Sequence, residues 1–183
     1  MRLFAGLDLP AHVVGQLEVL VGRLRPTARI SWSPPANLHI TTKFIGEWPD
    51  ERVGELQTAL GAIPERAPLP VTVARLGFYP HERAPRIFWC GVEAPGLDAL
   101  AAATDDATAA IGIERENRAY SPHLTLARIK ERPDLRPLHT AIAAIPSLHF
   151  GSFEARSFFL YRSQLRPTGS VYTKLAEFPF SKQ

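Results

Sequence analysis

Asn37-Leu38-His39-Ile40-Thr41-Thr42-Lys43-Phe44-Ile45-Gly46 decides the fold, because its core returns later as Pro122-His123-Leu124-Thr125-Leu126-Ala127-Arg128. Both stretches contain an H-x-T tripeptide, and the two histidines lie 84 residues apart (123 − 39). Each tripeptide opens an apolar run that reads as a strand, His39 to Ile45 and His123 to Ile129. Working outward, each is preceded at the same distance by another apolar run. Leu3-Phe4-Ala5-Gly6-Leu7 begins 36 residues before His39, and Ile87-Phe88-Trp89-Cys90-Gly91 begins 36 residues before His123. A period of this length is half a domain, far too long for a solenoid unit. We expect a single domain over residues 1–183 with an α+β, bilobal, pseudo-two-fold duplicated fold. Two mostly antiparallel sheets would flank a central cleft, with helices on the outside.

The segments between these strands read as helices and turns. After a first strand, Arg2 to Asp8, Pro10 suits the first turn of a helix carrying Val13, Val14, Leu17, Leu20, Val21 and Leu24, which Pro26 stops. A short strand near Ile30 to Ser33 precedes the Pro34-Pro35 turn. Pro49-Asp50 starts a second helix, with Val53, Leu56 and Leu60, and partial alternation from Val71 to Phe78 indicates a strand. The second half follows with a strand at Arg86 to Val92, a helix at Leu97 to Ile111 stopped by Gly112, the second H-x-T strand, and a helix at Asp134 to Ala144. Ser157 to Arg162, a Pro167-Thr168-Gly169 turn and Val171 to Phe178 form a hairpin suited to covering a sheet edge.

On a strand, side chains alternate faces, so His39 and Thr41 point one way and Ile40 the other. A buried polar group costs about 1–3 kcal/mol unless satisfied, so core packing has no reason to repeat this pair. Two histidines suit phosphate chemistry. With an ordinary pKa near ~6.5, one imidazole can accept a proton from water while the other gives one to a leaving oxygen. The hydroxyls of Thr41 and Thr125 can donate to the non-bridging oxygens as charge grows on them. By alternation Lys43 joins the face of His39 and adds positive charge, and Phe44 turns into the core. Tyr120 is placed to stack on a base, and Arg115 and Arg118 to touch an RNA backbone.

Other chemistries find little support. None of the six histidines forms an H-x-x-x-H pair, and there is no G-x-S-x-G, P-loop or G-x-G-x-x-G, so no metal and no cofactor are expected. Cys90 is the only cysteine and sits in an apolar run, which excludes an intrachain disulfide and fits a reducing compartment. The chain of 183 residues suffices for one full core and carries a net charge of +3. Arginine supplies 17 of its 21 basic residues, which suits phosphate recognition but is also what GC-rich coding produces. With no apolar run of about 18 residues and no signal-peptide pattern at its start, we expect a cytoplasmic monomer without a membrane partner.

These motifs carry a family resemblance. The chain resembles the 2H phosphoesterase superfamily, named for its two H-x-T-x motifs. Within it, the chain is similar to the bacterial and archaeal RNA 2',3'-cyclic phosphodiesterases, historically called 2'-5' RNA ligases. Besides the two motif strands, Arg2-Leu3-Phe4-Ala5-Gly6-Leu7-Asp8 and Ser157-Phe158-Phe159-Leu160-Tyr161 match, so the resemblance covers essentially the whole chain. It implies a bilobal fold and metal-independent hydrolysis of RNA 2',3'-cyclic phosphate ends, on oligoribonucleotides or tRNA fragments, to 2'-phosphates. It casts His39 as proton donor, His123 as proton acceptor, Thr41 and Thr125 as phosphate holders and Arg128 as a phosphate or substrate contact. Sequence symmetry alone leaves donor and acceptor interchangeable. The same site run in reverse would make a 2'-5' linkage. A small-nucleotide cyclic phosphodiesterase and a non-catalytic RNA-end binding module are the alternatives.

Overall fold

The computed structural model describes residues 1–181. Its elements run β1 (Arg2–Leu7), α1 (Ala11–Leu24), β2 (Ser31–Trp32), β3 (Ile40–Glu47), α2 (Val53–Gly61), β4 (Leu69–Tyr79), β5 (Ile87–Glu93), α3 (Leu97–Ala109), β6 (His123–Arg128), α4 (Arg136–Ala143), β7 (His149–Ala155), β8 (Ser157–Arg166) and β9 (Gly169–Pro179). The strands form two sheets, ordered β3-β1-β8-β9 and β2-β6-β5-β4-β7, and every pairing is antiparallel. The α+β duplicated architecture is as the sequence indicates. Laying β3-β1-β8-β9 over β6-β5-β4-β7 reproduces the pseudo-two-fold, with β2 as an added edge strand.

The two halves exchange pieces. The first half lends β2 and β4 to the second sheet, and the second half lends the β8–β9 hairpin to the first. That hairpin occupies the edge of β1 not used by β3. α1 and α2 bury most of the stripe that their spacing announces. In α1 these are Val13, Leu17, Leu20, Val21 and Leu24, and the helix lies against β7. In α3 the stripe includes Thr104 and Thr108, whose hydroxyls donate to the carbonyls of Leu100 and Thr104 at 2.8 and 2.9 Å. These bonds let polar side chains sit in a helix face that packs on β3.

Two features depart from the sequence reading. Strand β7 was not expected. Its Phe150 has no partner opposite, because Ala74 pairs with His149 and Val73 with Gly151. This bulge interrupts the period-two pattern by which a strand is recognised. The second departure is the repeat itself. Gly6 faces Thr41 and Trp89 faces Thr125, so β1 and β5 are related by 83 residues (89 − 6), while the motif strands keep 84. Burial agrees, since Leu3, Ala5 and Leu7 enter the core on β1 and Phe88, Cys90 and Val92 on β5. Matching the two apolar runs end to end therefore misaligns them by one residue and exchanges their faces.

Candidate active site

The repeat is preserved down to its irregularities. In the β1–β3 pair, Ala5 lies opposite Lys43 and Gly6 opposite Thr41, leaving Thr42 as an extra residue. In the β5–β6 pair, Phe88 lies opposite Ala127 and Trp89 opposite Thr125, leaving Leu126 extra. Each H-x-T is thus followed at once by a bulge. Gly6 makes room for the first one: a Cβ there would stand 2.5 Å from the Ile40 carbonyl oxygen. A bulge reverses the face of everything beyond it. His39, Thr41 and Phe44 therefore share one face, as do His123, Thr125 and Arg128.

The bulge corrects the expectation for Lys43. Its side chain lies on the far side of β3 and is buried. The ammonium donates to Asp105 on α3 at 2.6 Å and to the Glu114 carbonyl at 2.7 Å. Lys43 is an anchor and adds no charge to the cleft. Phe44, expected in the core, is instead 61% exposed on the face of His39 and Thr41, across from Phe4. Arg128 would face away from His123 by strict alternation; the bulge at Leu126 returns it to the same face, exposed.

The reading of Tyr120 as a stacking platform is also corrected. Its ring packs against the core, and its hydroxyl donates to the Thr41 carbonyl at 2.9 Å. The residue that leads into the second motif thus holds the backbone of the first. Burial pushes its phenol pKa upward, so it stays a donor. Arg115 is drawn to Asp106 at 2.5 Å, and Arg118 is exposed.

Both histidines are held in the same way. His39 Nδ1 lies 2.8 Å from the Asn37 carbonyl, and His123 Nδ1 lies 2.8 Å from the Ser121 carbonyl. A carbonyl only accepts, so each Nδ1 carries the proton and each Nε2 is left to exchange one. Their surroundings differ. His39 is half-buried, stacked on Phe4 at 4.3 Å and met edge-on by Tyr172 at 5.1 Å. Burial lowers its pKa from the ordinary imidazole value, opposed by its bond to Asn37 and the charge of Asp8. His123 stands exposed at the start of β6.

A cavity of about 380 Å³ opens beside His39. Asp8, Asn37, His39, Tyr161, Tyr172 and Lys174 line it, and an Asp8–Lys174 ion pair crosses its rim. Sequence reasoning gave no role to Phe4, Asp8, Tyr161, Tyr172 or Lys174. Phe4 and Asp8 reach His39 through the pairing of β1 with β3, and Tyr161, Tyr172 and Lys174 because the C-terminal hairpin adds to the other edge of β1. Burial pushes the Cys90 thiol up to about 12, which leaves it no thiolate character at neutral pH. Among the described residues, no three His, Cys, Asp or Glu side chains cluster as metal ligands would, and no helix is long and apolar enough to cross a membrane.

A duplicated α+β fold presenting paired H-x-T histidines defines the two-histidine class of phosphoesterase. The family model described as LigT like Phosphoesterase matches residues 7–89 and again residues 91–172, each stretch holding one H-x-T, and the chain belongs to this family. An RNA 2',3'-cyclic phosphodiesterase of Thermus thermophilus is 33% identical, over 97% of this chain and 89% of its own. One from Methanocaldococcus jannaschii is 29% identical over 97% of this chain and 99% of its own. Among solved structures, a Thermus thermophilus protein superposes with a TM-score of 0.80 at 31% identity, covering 98% of both chains. E. coli LigT complexed with 3'-AMP gives 0.76 at 27% identity, over 99% of this chain and 98% of that one.

Proposed function

We propose that the chain hydrolyses RNA 2',3'-cyclic phosphate ends to 2'-phosphates, with His39 as proton donor, His123 as proton acceptor and no metal. The observation that carries this reading is the matched anchoring of both histidines through Nδ1, which reserves both Nε2 atoms for proton transfer. The names of the related proteins agree with it.

In the proposed reaction, His123 Nε2 takes a proton from water as the water oxygen bonds to phosphorus. The bond from phosphorus to the ribose 3'-oxygen breaks, and His39 Nε2–H protonates that oxygen. The product has a 2'-phosphate and a free 3'-hydroxyl; His39 ends neutral and His123 charged, and exchange with solvent resets both. Thr41 and Thr125 donate to the non-bridging oxygens, and Arg128 adds positive charge on the His123 side. Each positioned acid or base contributes roughly 10²–10⁴-fold. Burial loosens the hold of His39 on its proton, which suits a donor once it is charged, and the anionic substrate favours that charging. A 5'-hydroxyl in place of water would give a 2'-5' linkage, the minor outcome in bulk water.

The test is phosphorus NMR of the purified protein with a 2',3'-cyclic mononucleotide in EDTA. A 2'-phosphate is expected. A 3'-phosphate would reverse the leaving oxygen, and no product from either this substrate or an oligoribonucleotide would refute the reading.

A further inference from the structure

We propose that Trp89 is the stacking platform for a second nucleoside, the one whose 5'-hydroxyl takes the place of water when a 2',3'-cyclic phosphate end is joined to another RNA strand. This rests on the hydrolase reading above and names where the joining partner sits.

The first support is the indole itself. Of the three tryptophans, Trp32 and Trp48 sit in or against the core and donate their indole N–H groups to the carbonyls of Ala28 and Arg52 at 3.1 and 3.0 Å. Trp89 is half-buried and stands outside that core, and among the described residues its N–H has no protein partner. Its ring lies down on the sheet instead. A Cβ on Gly77 would stand 2.1 Å from Cζ2 of the indole, and one on Gly91 would stand 3.4 Å from Cζ3. Gly77 thus seats one face of the ring against backbone, and Gly91 clears its edge. The other face is left to solvent. A seated indole with a free N–H suits a nucleobase, since every base has a π-face and polar atoms along its rim.

The second support is position. Trp89 lies directly opposite Thr125, and Gly91 lies opposite His123. Directly opposed residues share a face, so the indole stands on the side of His123 and Thr125, next to a position without a side chain. On β4, Tyr79 shares this face and is 52% exposed, and Ile87 connects it to Arg128. The first half has no counterpart, because the position of β1 matching Trp89 is Gly6, opposite Thr41. The platform belongs to the side of the proposed proton acceptor alone.

The third support is the chemistry of in-line displacement. With His39 protonating the departing 3'-oxygen, the attacking oxygen enters on the opposite side of phosphorus, at His123. Water needs no platform there, whereas a hydroxyl carried by a nucleoside does. In the joining step, His123 Nε2 takes the proton of the 5'-hydroxyl as the 5'-oxygen bonds to phosphorus. The bond from phosphorus to the 3'-oxygen breaks, and His39 Nε2–H protonates that oxygen. The products are a 2'-5' phosphodiester and a free 3'-hydroxyl.

The experiment gives one RNA with a 2',3'-cyclic phosphate end three acceptors: a 5'-hydroxyl oligoribonucleotide, the same strand with an abasic 5'-terminal residue, and methanol. The readout is the ratio of joined to hydrolysed product, which is independent of the folded fraction. In the wild type, removing the first base should lower the ratio by roughly fivefold to a hundredfold, the range for one base–aromatic stack. Trp89→Leu should lower the ratio for the intact strand by the same factor and leave those for the abasic strand and methanol where they were. Trp89→Phe, which keeps a smaller ring over Gly77, should fall between and carries the comparison if the Leu variant does not fold. A wild type indifferent to the first base overturns the proposal, as does a variant that loses equally with all three acceptors. A wild type that hydrolyses the end and joins it to no strand overturns it too. A wild type that opens no cyclic phosphate refutes the hydrolase reading itself, so the two failures are distinct.

Discussion

His39 and His123 each bond the carbonyl two residues back at 2.8 Å, yet one stands beneath aromatic rings and the other in the open. The strands that bear them differ too. β3 is the edge of its sheet, while β6 is paired on both sides by β2 and β5. An edge strand lacks one ladder of hydrogen bonds, and the structure makes up for it with side chains. Lys43 ties β3 to α3, and Tyr120 reaches from the second motif to hold the Thr41 carbonyl. At the position matching Lys43, β6 has Ala127, fully buried. The two halves keep the Nδ1 anchoring alike while the two environments diverge, which is what the proposed acid and base roles require.

The most severe way to break this comparison is to remove either imidazole. His39→Ala and His123→Ala are each expected to lower kcat by roughly 10²–10⁴-fold. The double variant should lose far less than the product of the two, because acid and base act in one step. The thermal midpoints should separate them: His123→Ala leaves folding unchanged, whereas His39→Ala lowers the midpoint by removing a ring stacked on Phe4. Equal melting of the two variants would mean that the aromatic surround of His39 carries no stability.

A smaller effect tests how β3 is anchored. Lys43→Met leaves the Asp105 carboxylate, 17% exposed, without its ammonium partner and strips the Glu114 carbonyl of its donor. Leaving a buried charge uncompensated costs about 3–5 kcal/mol, and the loss here is smaller because Asp105 keeps Arg115 at 3.5 Å and the Glu116 N–H at 3.0 Å. We expect the urea midpoint to fall accordingly. In protein that is still folded at low temperature, turnover should be close to wild type, because Lys43 lies on the far face of β3. A variant with full stability and lost turnover would return Lys43 to the cleft.

The legible part of the fold was periodic and the hidden part was not. The motif strands, the helices with Leu17 and Leu56 on their buried stripes, and the C-terminal hairpin all follow from spacing. Most errors arise at bulges. Thr42 reverses Lys43 and Phe44, and Phe150 conceals β7; Tyr120 differs, because its hydroxyl is taken by the Thr41 carbonyl, a contact between the halves. One extra residue changes no composition and no propensity, yet it exchanges the faces of everything that follows. Tyr161 and Tyr172 stayed without a role because they reach His39 through the pairing of β8 with β1, a contact between the two ends of the chain. Alternation places Phe159 and Tyr161 on one face of β8, but only the register against Phe4 says that this face is the site.

The smallest expected effect assigns the roles of the two histidines. Asp8 raises the His39 pKa against the lowering by burial, so Asp8→Asn must move that pKa further down. The exposed side chain is isosteric, and the rest of the His39 surround is kept. In the pH profile of kcat/KM a limb reports a pKa and not a role, because a donor that titrates below its acceptor gives the same bell shape. With burial holding the His39 pKa low, Asp8→Asn should move the acidic limb to lower pH. With His39 as donor the maximum falls in step, because less of the enzyme then carries the proton to be given. With His39 as acceptor the limb moves and the maximum holds. The height of the profile therefore separates the two roles for His39, and by the two-fold for His123.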